Sequence, residues 1–164
     1  MAHEIERKFL VRGNLWIPDP SRATRIRQGY LSTDPARVVR VRTRGSAAYL
    51  TIKGLTVGIA RVELEYPIPL ADADLMLDQL CVRPLVEKVR YLERVGEHTW
   101  EIDVFHGENA GLILAEVELP SADASIDLPT WAGDEVSDDP RYFNSNLARH
   151  PYAEWRPDGD RRSA

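Results

Sequence analysis

The sequence predicts an α+β fold: an eight-stranded antiparallel β-barrel with a charged interior and a few covering helices. Three observations predict it. Eight short stretches alternate between two faces and are separated by turn signals, which suits an antiparallel barrel better than a parallel sheet. Seven of the eight carry charges on one face and β-branched or aromatic residues on the other. Those charges are also sorted by sign. Glu63/Glu65, Glu101/Asp103 and Glu116/Glu118 are acidic pairs, whereas Arg40/Arg42 and Lys88/Arg90 are basic. Residues two apart on a strand share a face. Like charges there repel one another, which serves a solvated surface poorly but suits a site that gathers cations with acids and anions with bases.

The first stretch, His3 to Val11, points Glu4, Glu6 and Lys8 one way and Ile5 and Phe9 the other. Pro18 and Pro20 mark the connection that follows. Arg25 to Ser32 is a strand with Gln28, Tyr30 and Ser32 on one face. After Asp34-Pro35, Arg37 to Arg44 alternates strictly, with Arg40, Arg42 and Arg44 opposite Val39, Val41 and Thr43. Gly45-Ser46 supplies a hairpin turn into Tyr49 to Lys53. Arg61 to Tyr66 sets Glu63 and Glu65 against Val62, Leu64 and Tyr66. Residues 72–81 read as an amphipathic helix with a stripe of Leu75, Met76, Leu77 and Leu80.

Past Pro84, Val86 to Glu93 presents Lys88 and Arg90 on one face. Thr99 to Phe105 presents Glu101 and Asp103, and Leu112 to Leu119 presents Glu116 and Glu118. Pro129 to Trp131 reads as an extended bridge. Asp138-Asp139-Pro140 starts a helix running to about Ala148, with acids and an early proline at its N-terminus. From Pro151 the chain reads as a polar, loosely attached tail. The predicted organisation is one domain over 1–150 and a tail over 151–164.

Composition narrows the function classes. A chain of 164 residues supports one real core. With 29% charged residues and a net charge of -5, it is not a nucleic-acid binder driven by global charge. Cys81 is the one cysteine, so no intrachain disulfide forms, and a reducing, cytoplasmic location is expected. Glu4 to Lys8 replace an apolar signal region, and no run approaches the roughly 18 apolar residues of a membrane span. Neither nucleic acid nor membrane is an expected partner, and the chain is expected to be a monomer or a homodimer. His3, His98, His106 and His150 show no zinc-type spacing. Trp16, Trp100, Trp131 and Trp155 read as packing residues.

A dry interior cannot hold a dozen charges, because each ion loses several kcal/mol of solvation. A wet tunnel can hold them, with its charges paired until a ligand arrives. Carboxylate oxygens suit hard cations such as Mg²⁺ or Mn²⁺. Arg and Lys suit phosphate. Together they specify a metal-bound polyphosphate.

Glu4-x-Glu6-x-Lys8 resembles the signature of the CYTH superfamily, the triphosphate tunnel metalloenzymes. Tyr30, Arg40-x-Arg42, Lys53, Glu63-x-Glu65, Lys88-x-Arg90, Asp103 and Glu116-x-Glu118 follow in that family's order. Gly133-x-Glu135-Val136 and Tyr142-x-Asn144-x-x-Leu147-Ala148 resemble its small bacterial members. The likeness runs from about residue 2 to 150. It implies an eight-stranded tunnel that hydrolyses or cyclises triphosphates with a divalent metal, Mg²⁺ or Mn²⁺. By resemblance, Glu4, Glu6, Glu116 and Glu118 are metal ligands, and Glu63, Glu65 and Asp103 serve near a second metal. Lys8, Arg40, Arg42, Lys53, Lys88 and Arg90 grip phosphate, and Tyr30 with Lys53 forms a pair that helps activate water. Glu101 has no assigned role.

The activity the resemblance favours is an inorganic triphosphatase, cleaving tripolyphosphate to pyrophosphate and phosphate. A class IV adenylate cyclase, a thiamine-triphosphatase and a non-catalytic polyphosphate- or nucleotide-binding module stay open. Seven metal-type carboxylates argue against the last, since binding alone needs bases more than acids.

Overall fold

The computed structural model describes residues 3–156. Among them nine strands form: β1 (His3–Val11), β2 (Ala23–Ser32), β3 (Val38–Arg44), β4 (Ala47–Lys53), β5 (Ala60–Pro67), β6 (Val86–Val95), β7 (His98–Phe105), β8 (Ile113–Glu118) and β9 (Ala132–Glu135). Their order is β5-β4-β3-β2-β6-β7-β8-β1-β9, and β5 also pairs with β1. That pairing, His3↔Val62, Glu4↔Arg61 and Ile5↔Ala60, closes eight antiparallel strands into a barrel. The ninth strand, β9, lies outside it on β1 through Phe9↔Glu135 and Val11↔Ala132. All eight predicted strands are present. The extra strand has the sequence Ala-Gly-Asp-Glu, without a β-branched residue, so β-propensity does not mark it.

The strand parity holds around the barrel. Arg40, Arg42, Lys88, Arg90, Glu116 and Lys8 are buried inside. The inner face is charged only along part of its length. At one end the same parity brings Leu10, Val38, Val86, Phe105 and Leu114 inward, and Leu147, Ala148 and Tyr152 pack against them. The C-terminal segment therefore fills that end of the barrel. The tunnel is thus a cup, filled at that end.

This filling is built from short pieces. In place of one helix over 138–148 there are a 3₁₀ turn (Pro140–Tyr142), α2 (Asn144–Leu147) and α3 (Tyr152–Trp155). Phe143 is extended between the first two, with φ -70° and ψ 133°. That break lets Phe143 and Asn144 face the lumen while Leu147 turns into the apolar end. The expected loose tail is anchored at its start. Tyr152 is buried, its N–H donates to Asn109 Oδ1 at 2.8 Å, and Trp155 packs edge-on to Tyr142 and Tyr152. The rest of that predicted tail, 157–164, lies outside the described residues.

Two further cores lie outside the barrel. Phe9, Trp100, Ile102 and Val117 pack with Trp16 and Trp131, so those tryptophans are packing residues. Val41 and Ala48 pack under α1 (Leu70–Gln79), which begins and ends two residues earlier than the helix expected over 72–81. Its buried face is Ala73 and Leu77. Leu75 and Leu80, placed in the apolar stripe by the sequence, are 54% and 64% exposed. The contact is narrow: a single helix covers β3 and β4, so only one edge of the stripe is used. Gly29 of β2 is required where Cys81 and Leu85 cross it, because a Cβ there would stand 2.7 Å from Leu85 Cδ2.

Candidate active site

The lumen holds a cavity of about 200 Å³. Eight cations line it: Lys8, Arg40, Arg42, Arg44, Lys53, Arg61, Lys88 and Arg90. Seven carboxylates face them: Glu4, Glu6, Glu63, Glu65, Glu101, Glu116 and Glu118. Every predicted site residue except Asp103 lines this one cavity, Tyr30 included. Arg44, Arg61, Glu101, Asn144 and Ser145 join the wall beyond the predicted set. Arg61 shares strand parity with Glu63 and Glu65, so the alternation that found those acids also reaches it. Asn144 and Ser145 carry no charge, and no strand pattern marks them.

The charges neutralise one another in pairs. Lys53 Nζ lies 3.3 Å from Glu4 Oε1 and 3.1 Å from Glu63 Oε2. Lys8 Nζ lies 3.4 Å from Glu116 Oε1 and 5.2 Å from the centre of the Phe143 ring. Burial opposes the charge on Glu116, yet Lys8, Lys88 and Arg90 hold its carboxyl well below the usual range. Glu6 behaves oppositely. Burial, then the nearby charges of Glu116 and Glu4, push it well above the usual range. Crowded carboxylates that raise one another in this way are relieved by a cation.

Asp103 is held by two cations. Arg90 Nε donates to its Oδ1 at 2.8 Å and Arg90 Nη2 to its Oδ2 at 2.9 Å, while Lys88 Nζ is 2.7 Å away. Burial works against its charge, but Arg90 and Lys88 win and hold it down to about 2. Both carboxylate oxygens are thus engaged by Arg90 and Lys88, and Asp103 is not among the residues that line the cavity. Glu101 is instead the lumen-facing acid of β7, accepting from Arg90 Nη1 at 3.1 Å.

Tyr30 and Lys53 both line the cavity but sit on different strands. The strand β3 lies between β2 and β4: Tyr30 is opposite Arg40, and Lys53 is opposite Val38. Among the described residues no hydrogen bond joins the two. Burial raises the Tyr30 phenol above its ordinary value against the pull of Arg40 and Arg42.

The donor set suits two kinds of ligand. For an anion, Arg40 Nε is buried without a hydrogen-bond partner among the described residues. Such an orphaned donor is uncommon and fits an acceptor supplied by a ligand. For a divalent cation, the lumen offers carboxylate oxygen and neither His nor Cys, which fits Mg²⁺ or Mn²⁺. The carboxylates are not preassembled for it: among the described residues no three His, Cys, Asp or Glu side chains form a ready metal group.

A closed antiparallel barrel whose lumen pairs stacked cations with stacked carboxylates defines a class of protein built to enclose a metal-bound polyanion. The chain belongs to the CYTH domain family, whose model matches residues 2–152. It is 45% identical over 156 residues to an inorganic triphosphatase of Acetivibrio thermocellus, covering 95% of this chain and 99% of that one. It is 38% identical over 150 residues to an inorganic triphosphatase of Nitrosomonas europaea, covering 88% and 96%. The crystal structure of the inorganic triphosphatase NE1496 superposes with a TM-score of 0.64 at 37% identity, covering 90% of this chain and 95% of that one.

Proposed function

We propose that this chain hydrolyses inorganic tripolyphosphate to pyrophosphate and phosphate inside the barrel, with Mg²⁺ or Mn²⁺. The observation that carries the proposal is the composition of the cavity wall. Eight cations and seven carboxylates face one lumen, and Val38 is its one aliphatic member. Such a wall grips phosphate and offers little apolar surface for a nucleobase. The near balance of charge also suits a polyphosphate that arrives partly neutralised by its own divalent cations.

Each group of residues then has a task. Glu4, Glu6, Glu116 and Glu118 are proposed to hold the cation, with Glu63 and Glu65 nearest any second one. A cation held there neutralises charge that develops on the phosphoryl oxygens. Lys8, Arg40, Arg42, Lys53, Lys88 and Arg90 fix the phosphates in line, which is most of what phosphoryl transfer asks of a protein. Lys8 and Lys53 exchange carboxylate partners for phosphate oxygens as substrate enters. Asp103 keeps Lys88 and Arg90 aimed inward. The filled end of the cup sets how far the chain of phosphates can travel.

Phosphate release from tripolyphosphate, with and without Mg²⁺, tests the proposal beside ATP and thiamine triphosphate. The expected result is Mg²⁺-dependent release that is fastest from tripolyphosphate. Binding of tripolyphosphate with no release under any metal would overturn it in favour of a polyphosphate-binding module.

A further inference from the structure

Two amides join the cationic wall to the C-terminal segment. Gln28 of β2 is 0% exposed, and Asn144 opens α2. Gln28 Oε1 accepts from Arg42 Nε at 2.8 Å. Gln28 Nε2 donates to Tyr30 Oη at 3.1 Å and to Asn144 Oδ1 at 3.0 Å. Asn144 Oδ1 also accepts from Lys88 Nζ at 2.9 Å. The orientation of both amides follows from the Arg42 end. A guanidinium only donates, so it must meet the Gln28 oxygen, and the Gln28 NH₂ that remains must meet the Asn144 oxygen, to which Lys88 also donates. The Gln28 NH₂ is therefore turned toward the phenol and Asn144, and the Asn144 oxygen toward Lys88.

This polarity has a consequence for Tyr30. A phenol oxygen that accepts from Gln28 keeps its own proton for another partner. Tyr30 lines the cavity, so the proton is free to point at the lumen. Asn144 lines the cavity as well, and with its oxygen used twice its NH₂ is left for the same space.

We propose that Gln28 and Asn144 are positioning residues: an amide relay that holds Arg42 and Lys88 in register and sets the Tyr30 hydroxyl as a donor toward the substrate. The relay rests on the tripolyphosphate assignment above and adds to it. It makes the closed end of the cup a one-signed surface of donors, and it explains why a neutral residue from the last part of the chain belongs to a site otherwise built from strands. Arg42 and Lys88 lie on β3 and β6, which flank β2 on either side. One buried glutamine between them, completed by Asn144, fixes both.

The test uses Gln28→Leu, Asn144→Leu, the double variant and the near-isosteric Gln28→Glu. Wild-type turnover of tripolyphosphate tests the assigned function separately. For each folded variant, KM and kcat are measured, together with the Kd of tripolyphosphate by calorimetry without metal. Each single Leu variant is expected to raise Kd and KM about tenfold, the scale of one hydrogen bond to a charged group. The double variant is expected to be no worse than the weaker single, because residues acting as one unit are not additive. Gln28→Glu keeps the acceptor for Arg42 but replaces the donor facing Tyr30. It is expected to turn the phenol proton inward and to weaken binding by a similar factor with the melting temperature little changed. Single variants that bind like wild type, a double variant with the product of the two losses, or a Gln28→Glu protein indistinguishable from wild type would each overturn the relay. If the Leu variants do not fold, Gln28→Glu alone decides.

Discussion

Lys88 Nζ stands 2.7 Å from Asp103 Oδ2, and each side chain is 1% exposed. Arg90 holds the same carboxylate with two further hydrogen bonds. An acid buried behind two cations acts on substrate only through them. In Asp103→Asn, breaking this cluster is expected to cost about 3 kcal/mol, the lower end for a broken buried pair, because Lys88 can shed its proton. Denaturant unfolding measures that loss. Residual activity is expected to show a raised KM for tripolyphosphate with an unaltered Mg²⁺ requirement. A shifted Mg²⁺ requirement would return Asp103 to the metal.

Glu116 and Glu4 are the contrasting acids. Both line the lumen and are met by lysines at 3.3–3.4 Å, distances that a competing ligand can open. Glu116→Gln and Glu4→Gln keep shape and packing but remove an anionic oxygen. Each is expected to remove most activity and to raise the half-saturating Mg²⁺ concentration at least about tenfold. Circular dichroism and a metal titration of turnover check the two halves of this expectation. Near-normal turnover at ordinary Mg²⁺ in both variants would take these residues out of metal binding.

Lys88 adds a pH signature. Burial pushes its ammonium down to about 7, against the pull of Asp103, while Arg90 and Arg42 push the same way as burial. The folded value is below the unfolded one, so the folded protein carries fewer protons between about 7 and the ordinary 10.5. Stability from this group accordingly rises with pH across that window, since the unfolded chain binds the extra proton. A phosphate beside Lys88 restores its charge. Tripolyphosphate binding near pH 8 is therefore expected to take up a proton, seen as a calorimetric enthalpy that depends on the ionisation enthalpy of the buffer. Lys88→Met is expected to abolish the dependence.

The sorted charges made the barrel and most of its lumen legible. Glu63/Glu65 and Arg40/Arg42 state both a strand and the side of it that faces the ligand. The same alternation reaches Arg61 and Arg44. What it could not separate was Asp103 from Glu101, because parity places both on the inner face and depth along the barrel decides which meets the lumen. The C-terminal segment was legible as helical but not as broken. Nothing local announces that Phe143 must be extended for Asn144 to reach Lys88, because the reason lies on β6. Neutral Gln28 was placed on the correct face of β2, yet an amide acquires a role only from the cations at its two ends. The strand β9 was missed because its pairing with β1 replaces the propensity that Ala132-Gly133-Asp134-Glu135 lacks.

The resemblance suggested that Tyr30 and Lys53 activate water together, which would make Tyr30 a base. Three features of the fold weigh against that role. The strand β3 separates the two residues. Lys53 pairs with Glu4 and Glu63 rather than with the phenol. Burial keeps the phenol above its ordinary value, so it stays protonated through the neutral range. As a donor, Tyr30 contributes about one hydrogen bond to a charged group, and Tyr30→Phe is expected to raise KM for tripolyphosphate about tenfold. The alkaline limb of the pH–rate profile should be the same in the variant as in the wild type, since no proton leaves Tyr30 during turnover. A base role predicts the opposite split: kcat falls by 10²–10⁴, the usual share of general-base catalysis, KM holds, and the limb flattens. Measuring kcat and KM for both proteins across pH 6–10 separates the two, on the order of one decade against at least two.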